Sequence, residues 1–320
     1  MDIKIEQENK EINNSFSIIE NRKTKALLEE VMKVVFLICA FFAVVAVFSI
    51  TLYMIMNGTP ALFKVGLKEI LFETKWAPTA AESKYGILYV ILTSIVGTAC
   101  AVLIGVPIGV LTAVFIAEVA PKKLAAIVKP AVELLASIPS VIYGLLGIML
   151  LNPLMYKLEL IIFKNSETHQ YTGGSNLISA IIVLAIMILP TVINISESAI
   201  RAVPQEMRSA SLALGASKIQ TIFKVVLPVA KSGIISAIVL GVGRAIGEAM
   251  AITLVSGSSV NIPLPFNSVR FLTTAIVAEM GYASDQHREV LFTIGLILFA
   301  FIMLVNTAFT KILSGKEAER

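Results

Sequence analysis

Polar and apolar positions in this chain segregate into long blocks. A charged stretch, residues 1–32, gives way to an apolar run at 34–56. Five more apolar runs follow, at 87–117, 124–151, 177–195, 233–256 and 290–313. Each approaches or exceeds the ~20 residues that a helix needs to cross a bilayer. The pattern predicts an all-α polytopic membrane protein with six transmembrane helices. It divides into an N-terminal tail at 1–32, helical only near 26–31, and a first transmembrane helix at 33–57. An external loop at 58–86 leads to a core of five helices at 87–313, with a long polar connection at about 202–232 and a C-terminal tail at 314–320. Pro107 and Pro139 predict kinks in the second and third helices.

Composition agrees. Of 320 residues, 57% are hydrophobic and 15% charged, where a soluble domain has about 45–50% and about 25%. The net charge of +4 is modest and says nothing about nucleic acid; no basic stripe interleaved with aromatics is present, and no nucleic-acid partner is expected. Cys39 and Cys100 lie in apolar runs and read as free thiols, not as a disulfide framework. His169 and His287 fall in different loops without neighbouring carboxylate or cysteine partners, so no metal site is expected. Trp76, near Pro78, reads as an interfacial anchor.

Lysine and arginine placement sets the expected orientation. Arg22, Lys23, Lys25 and Lys33 precede the first helix, and Lys122 and Lys123 follow the second. Arg201, Arg208, Lys218, Lys224 and Lys231 occupy the connection after the fourth, and Lys311, Lys316 and Arg320 close the chain. Positive loops stay inside, so both termini are expected in the cytoplasm. Neither "GASK" at 215–218 nor "GVGRAIG" at 241–247 has the spacing of a nucleotide-binding loop. Any ATP hydrolysis therefore belongs to another subunit, and this chain reads as a non-enzyme.

Two charges stand inside the fifth apolar run. Arg244 lies eleven positions past Gly233, roughly 16 Å deep at about 1.5 Å per residue. Even lenient scales assign a charge there a cost of about 2.5–3.5 kcal/mol. Glu248, four positions on, would share its helix face. The two either brace the bundle as an ion pair or form an anion site, with the planar guanidinium facing an oxyanion and Glu248 holding it. Gly243 and Gly247 would permit close helix contact. Lys129 and Glu133 form a second pair four apart. In "SIPS" at 137–140, Ser137 and Ser140 either line a polar path opened by Pro139 or bond back to their own helix. Gly105, Gly109, Tyr143 and Gly144 read as packing residues.

The connection at 201–234 contains Ala210, Leu212, Ala213 and Leu214, good helix formers, then Gly215, which suits a left-handed turn. Ile219, Ile222, Phe223 and Val226 then recur at helical spacing before Pro228. Two short helices about a glycine turn are predicted. They would serve equally as a docking hairpin or an amphipathic connector.

This segment resembles the cytoplasmic loop of ABC importer permeases: Glu-Ala-Ala, three residues, Gly, and later Ile/Val-x-Leu-Pro. Here Ala210, Ser211, Gly215 and "VVLP" at 225–228 match. The family glutamate aligns with Ser209, and Glu206 lies one turn earlier. The resemblance implies a coupling helix that docks on an ATPase through Glu206, Ser209, Ala210, Ser211, Leu212 and Gly215. Together, "ELLASIPSVIYGLLGIM", "RAVPQEMRSASLALGAS", "GVGRAIGEAMAITLVSG" and "LTTAIVAEMG" resemble the C-type permeases of phosphate-specific ABC importers. That implies an A-type permease partner, two ATPase subunits carrying ATP and Mg, an external phosphate-binding protein, and phosphate passing Arg244, Glu248, Ser137 and Ser140 by alternating access. Another oxyanion, such as sulfate or molybdate, would suit the same pair. A secondary transporter would show inverted repeats or several membrane carboxylates, and neither is clear.

Overall fold

The computed structural model describes the backbone of residues 2–317 and the side chains of residues 28–308 and Lys311. Helix α1 runs from Asp2 to Ala61. Nothing in its sequence interrupts it, because the first glycine is Gly58 and the first proline Pro60. The backbone of 2–32, expected as a tail, is thus helical. Met1 and residues 318–320 lie outside the described residues. The chain divides into two compact units, Met1–Met56 and Asn57–Arg320. In the first, apolar side chains such as Leu37 and Phe42 are exposed, as suits a surface facing lipid.

In the second unit the end of α1 passes through a π-helical turn into α2 (Leu67–Phe72). An antiparallel hairpin of β1 (Trp76–Ala77) and β2 (Lys84–Tyr85) follows. Helix α3 (Leu88–Val114) continues through a π-helical turn, Phe115–Val119. Helix α4 (Lys122–Ser137) is followed by α5 (Ser140–Leu146), which continues through another such turn into α6 (Asn152–Ile162). Helix α7 (Leu177–Arg201) is capped by Asn176, whose side chain accepts from Ser179 N–H. The short α8 (Gln205–Ala213), α9 (Lys218–Thr221) and α10 (Leu227–Val229) precede α11 (Lys231–Gly247). The chain ends with α12 (Met250–Val255), α13 (Leu272–Glu279) and α14 (Asp285–Glu317).

Among the described residues, five helical runs are long and apolar enough to cross a membrane: Leu28–Phe72, Leu88–Val119, Ser140–Ile162, Leu177–Arg201 and Asp285–Ala308. The bent pair Lys218–Val229 and Lys231–Gly247, at 69°, makes a sixth. Three expected boundaries move. The first span runs to Phe72, because the helix continues into the stretch read as the start of the external loop. The run at 124–151 is not one helix, because Ile138 and Pro139 adopt extended conformations between α4 and α5. The span starts at Ser140 and takes in 152–162, which had read as loop. Hydropathy misses this break because Ile138 and Pro139 are themselves apolar. The run at 233–256 likewise stops after Gly247, where Glu248 is extended with ψ 130°.

Helix α7 lies at the centre of the second unit, against α3, α4 and α11. Between membrane helices, close packing drives association in place of water exclusion, so small residues mark the contacts. A Cβ on Gly105 would come within 2.7 Å of Ile188, and one on Gly109 within 2.8 Å of Val192. The α3–α7 seam therefore requires glycine at both positions. Ala101, Leu184, Met187, Ile188, Ala251 and Ile252 fill the core beside it.

At the end of this unit formed by the β-hairpin and α13, two buried carboxylates organise the loops. Glu279 accepts from Trp76 Nε1 at 3.1 Å, lies 2.8 Å from His287 Nε2 and is paired with Arg270. Glu159 lies 2.8 Å from His169 Nε2 and accepts from Thr172 N–H at 2.9 Å. Both histidines thus have carboxylate partners that the sequence did not reveal, and Trp76 is tied inward, not left as a free interfacial anchor. Among the described residues, no three metal-ligating side chains converge.

Candidate functional site: a membrane arginine beside two helix breaks

Arg244 occupies the last turn of α11 and is half-buried. Its Nη1 donates to Thr191 Oγ1 of α7 at 3.1 Å. The expected pairing with Glu248 does not form. A spacing of four brings side chains together only while the helix continues, and α11 ends at Gly247. Glu248 Oε1 instead accepts from Ala251 N–H at 2.9 Å, and the Glu248 carbonyl accepts from the Thr273 hydroxyl at 2.7 Å. Gly243 and Gly247 are not contact glycines either. A Cβ on either would meet nothing within 4 Å in this chain.

The second break lies close by. Gly144 packs on Ala251 and Leu254, and Gly147 on Val255. Helices α5 and α12 therefore run side by side in the same sense, each starting at a break. Tyr143 of α5 is buried and donates to Leu135 O across the first break at 2.7 Å. Ser137 Oγ bonds back to Leu134 O at 2.7 Å, the local alternative foreseen for it. Ser140 is half-buried at the first position of α5. Irregular backbone at membrane depth is tolerated only where protein buries it or a watery cavity meets it. Paired breaks of this kind build ion sites in transporters. Thr191 escaped the sequence reading; its one signal was a hydroxyl following Pro190 inside an apolar run.

Lys129 does not pair with Glu133. Its Nζ reaches Glu197 Oε2 of α7 at 3.1 Å, and Arg201 pairs with the same buried carboxylate.

The connection after α7 forms the predicted hairpin. Helix α8 ends at a turn where Gly215 has φ +86°, a conformation that costs glycine little and other residues more. Ser217 and Gln220 form a capping box that starts α9. The Ser211 and Thr221 hydroxyls join the two arms at 2.9 Å. Glu206, Ser209, Ala210, Leu212 and Gly215 are exposed, and Ser211 is half-buried. Leu214, Ile219 and Phe223 also project outward, Leu214 being 89% exposed. A cleft of about 280 Å³, lined in part by Ala199, Val203, Val229 and Ser232, opens between the end of α7 and the start of α11.

Comparison with known proteins gives a consistent result. Residues 105–317 match the family described as binding-protein-dependent transport system inner membrane component. The chain is 36% identical over 298 residues to the probable ABC transporter permease protein YqgH of Bacillus subtilis, covering 90% of this chain and 93% of that one. It is 35% identical over 277 residues to the phosphate transport system permease protein PstC of Xylella fastidiosa, covering 82% and 84%. In fold it is similar to a chain of a bacterial alginate ABC transporter solved in complex with an alginate pentasaccharide-bound periplasmic protein. The TM-score is 0.59 over 87% of this chain and 94% of that one, at 16% identity. With five helical segments fit to span a membrane among the described residues, or six with the bent pair taken as one span, and a family match over residues 105–317, the chain belongs to the binding-protein-dependent transport system inner membrane components.

Proposed function

We propose that this chain is the C-type permease of an ATP-driven phosphate importer. The observation that carries the reading is Arg244, a half-buried guanidinium at the end of a broken membrane helix, in a chain whose relatives include named phosphate permeases. A guanidinium presents a planar fork of donors to a tetrahedral oxyanion. Thr191 orients that fork. Glu248 lies beyond the break, and its charge keeps anion affinity low enough for release. Ser140, at a helix start, adds a donor to the path, while Ser137 contributes through the carbonyl geometry of the break.

The partners follow from the same reading. An A-type permease completes the path as a heterodimer. Two ATPase subunits bind ATP and Mg and dock on the hairpin through Glu206, Ser209, Ala210, Ser211, Leu212 and Gly215. An external binding protein delivers phosphate to the opposite face. Both termini and the hairpin lie in the cytoplasm. Nucleotide binding at the ATPases then moves the hairpin and switches the bundle between outward-open and inward-open. Uptake of labelled phosphate into vesicles containing the full complex tests the function. ATP-dependent accumulation is expected, and its absence with phosphate-loaded binding protein present would reject the phosphate assignment.

A further inference from the structure

Arg208, in the second turn of α8, reaches back to the ends of α3 and α7, and its side chain is largely covered. Nη2 donates to Glu118 Oε1 at 2.8 Å, and Nε donates to the same oxygen at 3.1 Å. Nη2 also donates to Ile200 O at 2.8 Å, and Nη1 donates to Val203 O. The two side chains are only 12% and 11% exposed. Glu118 belongs to the π-helical turn that ends α3, and Ile200 to the last turn of α7. One planar group thus grips the ends of both helices that form the glycine seam. Carbonyls at a helix C-terminus lack intrahelical donors and readily accept such bonds.

The second arm of the hairpin is held differently. Ile222 and Val226 pack against Val114 and Ile200 in an apolar cluster. A fork with several directed hydrogen bonds fixes orientation as well as distance, so it carries rotation as well as push. The end of α7 is also continuous with Thr191, the partner of Arg244. Resting on the permease reading above, we infer that the Arg208–Glu118 pair is the strut that carries movement of α8 to α3 and α7, and so couples ATPase docking to the anion path. Arg208 is a positioning residue that never touches substrate.

The test uses the full complex in proteoliposomes with Arg208→Lys, Arg208→Gln and Glu118→Gln. Phosphate uptake and ATP hydrolysis are measured together. All three variants should assemble and hydrolyse ATP. Uptake per ATP should fall by about tenfold in Arg208→Gln, the scale of a lost charge-assisted hydrogen bond, and by less in the two conservative variants. A second readout needs no substrate. A cysteine replacing Ser232, in a background with Cys39 and Cys100 replaced by alanine, reports cleft opening through its labelling rate. A non-hydrolysable ATP analogue should change that rate in the otherwise unaltered complex and not in Arg208→Gln. If the unaltered complex fails to move phosphate while its labelling responds to nucleotide, the phosphate reading falls and the strut still stands on the labelling result. The strut is overturned if Arg208→Gln keeps both the uptake ratio and the nucleotide response. It is equally overturned if the two conservative variants fail to assemble, because the pair is then only a folding clamp.

Discussion

The Arg244 guanidinium donates to the Thr191 hydroxyl at 3.1 Å on the neighbouring helix, and Glu248, four residues along its own chain, turns elsewhere. Arg244 is therefore oriented by a neutral partner, and its remaining donors are not claimed by Glu248. Thr191→Val keeps the shape of the side chain and removes the acceptor. Phosphate uptake per assembled complex should drop about tenfold, the scale of a hydrogen bond to a charged group, while Thr191→Ser stays near the wild-type rate. Equal uptake in the valine and serine variants would remove Thr191 from the account.

Glu248 caps the start of α12 without neutralising Arg244. Glu248→Gln retains an acceptor for Ala251 N–H, so the melting temperature of the purified complex should hold. Glu248→Ala removes the acceptor and should cost roughly 0.5–2 kcal/mol. A Gln variant as unstable as the Ala variant would mean that the charge, not the cap, is what the fold needs.

Gly215 has a left-handed backbone and empty space where a Cβ would sit. A side chain there strains the backbone and projects from the exposed hairpin, and aspartate adds a charge to it. Gly215→Asp is expected to insert normally and to lose ATPase subunits during purification, as is Gly215→Val. Gly215→Asn, which tolerates this conformation better, should retain more of them. The check is subunit stoichiometry after affinity purification, and full retention in Gly215→Val would count against a docking role for the turn.

Gly105→Val would drive methyl groups into Ile188 and push α3 from α7. Overpacking of this kind costs about 1–3 kcal/mol. Thermal unfolding of the complex should shift downward. Pairing the change with Ile188→Ala should recover part of the loss, and no recovery would mean that the strain lies elsewhere.

How much of this was legible in the chain depends on the range of each interaction. The glycine turn at Gly215 and its flanking helices are local, and residue types alone disclosed them. Gly105 and Gly109 were readable as packing because small residues spaced one turn apart have few other uses in an apolar run. The breaks at 138–139 and after Gly247 were not, since a hydropathy window cannot distinguish an apolar extended residue from a helical one. The same blindness produced the mistaken Arg244–Glu248 and Lys129–Glu133 pairs, which assume an uninterrupted helix or the nearest available partner. Glu197 is 68 residues from Lys129, and Glu118 is 90 from Arg208. No local spacing rule reaches such partners. His169 and His287 gained their carboxylates through loop packing over 10 and 8 residues, outside any regular helix register.

The central claim is that Arg244 meets the anion during passage, and one measurement reaches it most directly. Phosphate uptake per assembled complex is compared for the wild type, Arg244→Lys and Arg244→Gln, with assembly quantified in the same vesicles. The account predicts intact assembly in all three, partial uptake with lysine, which keeps the charge but loses the planar fork, and abolished uptake with glutamine. Near-normal uptake in an assembled Arg244→Gln complex would contradict it.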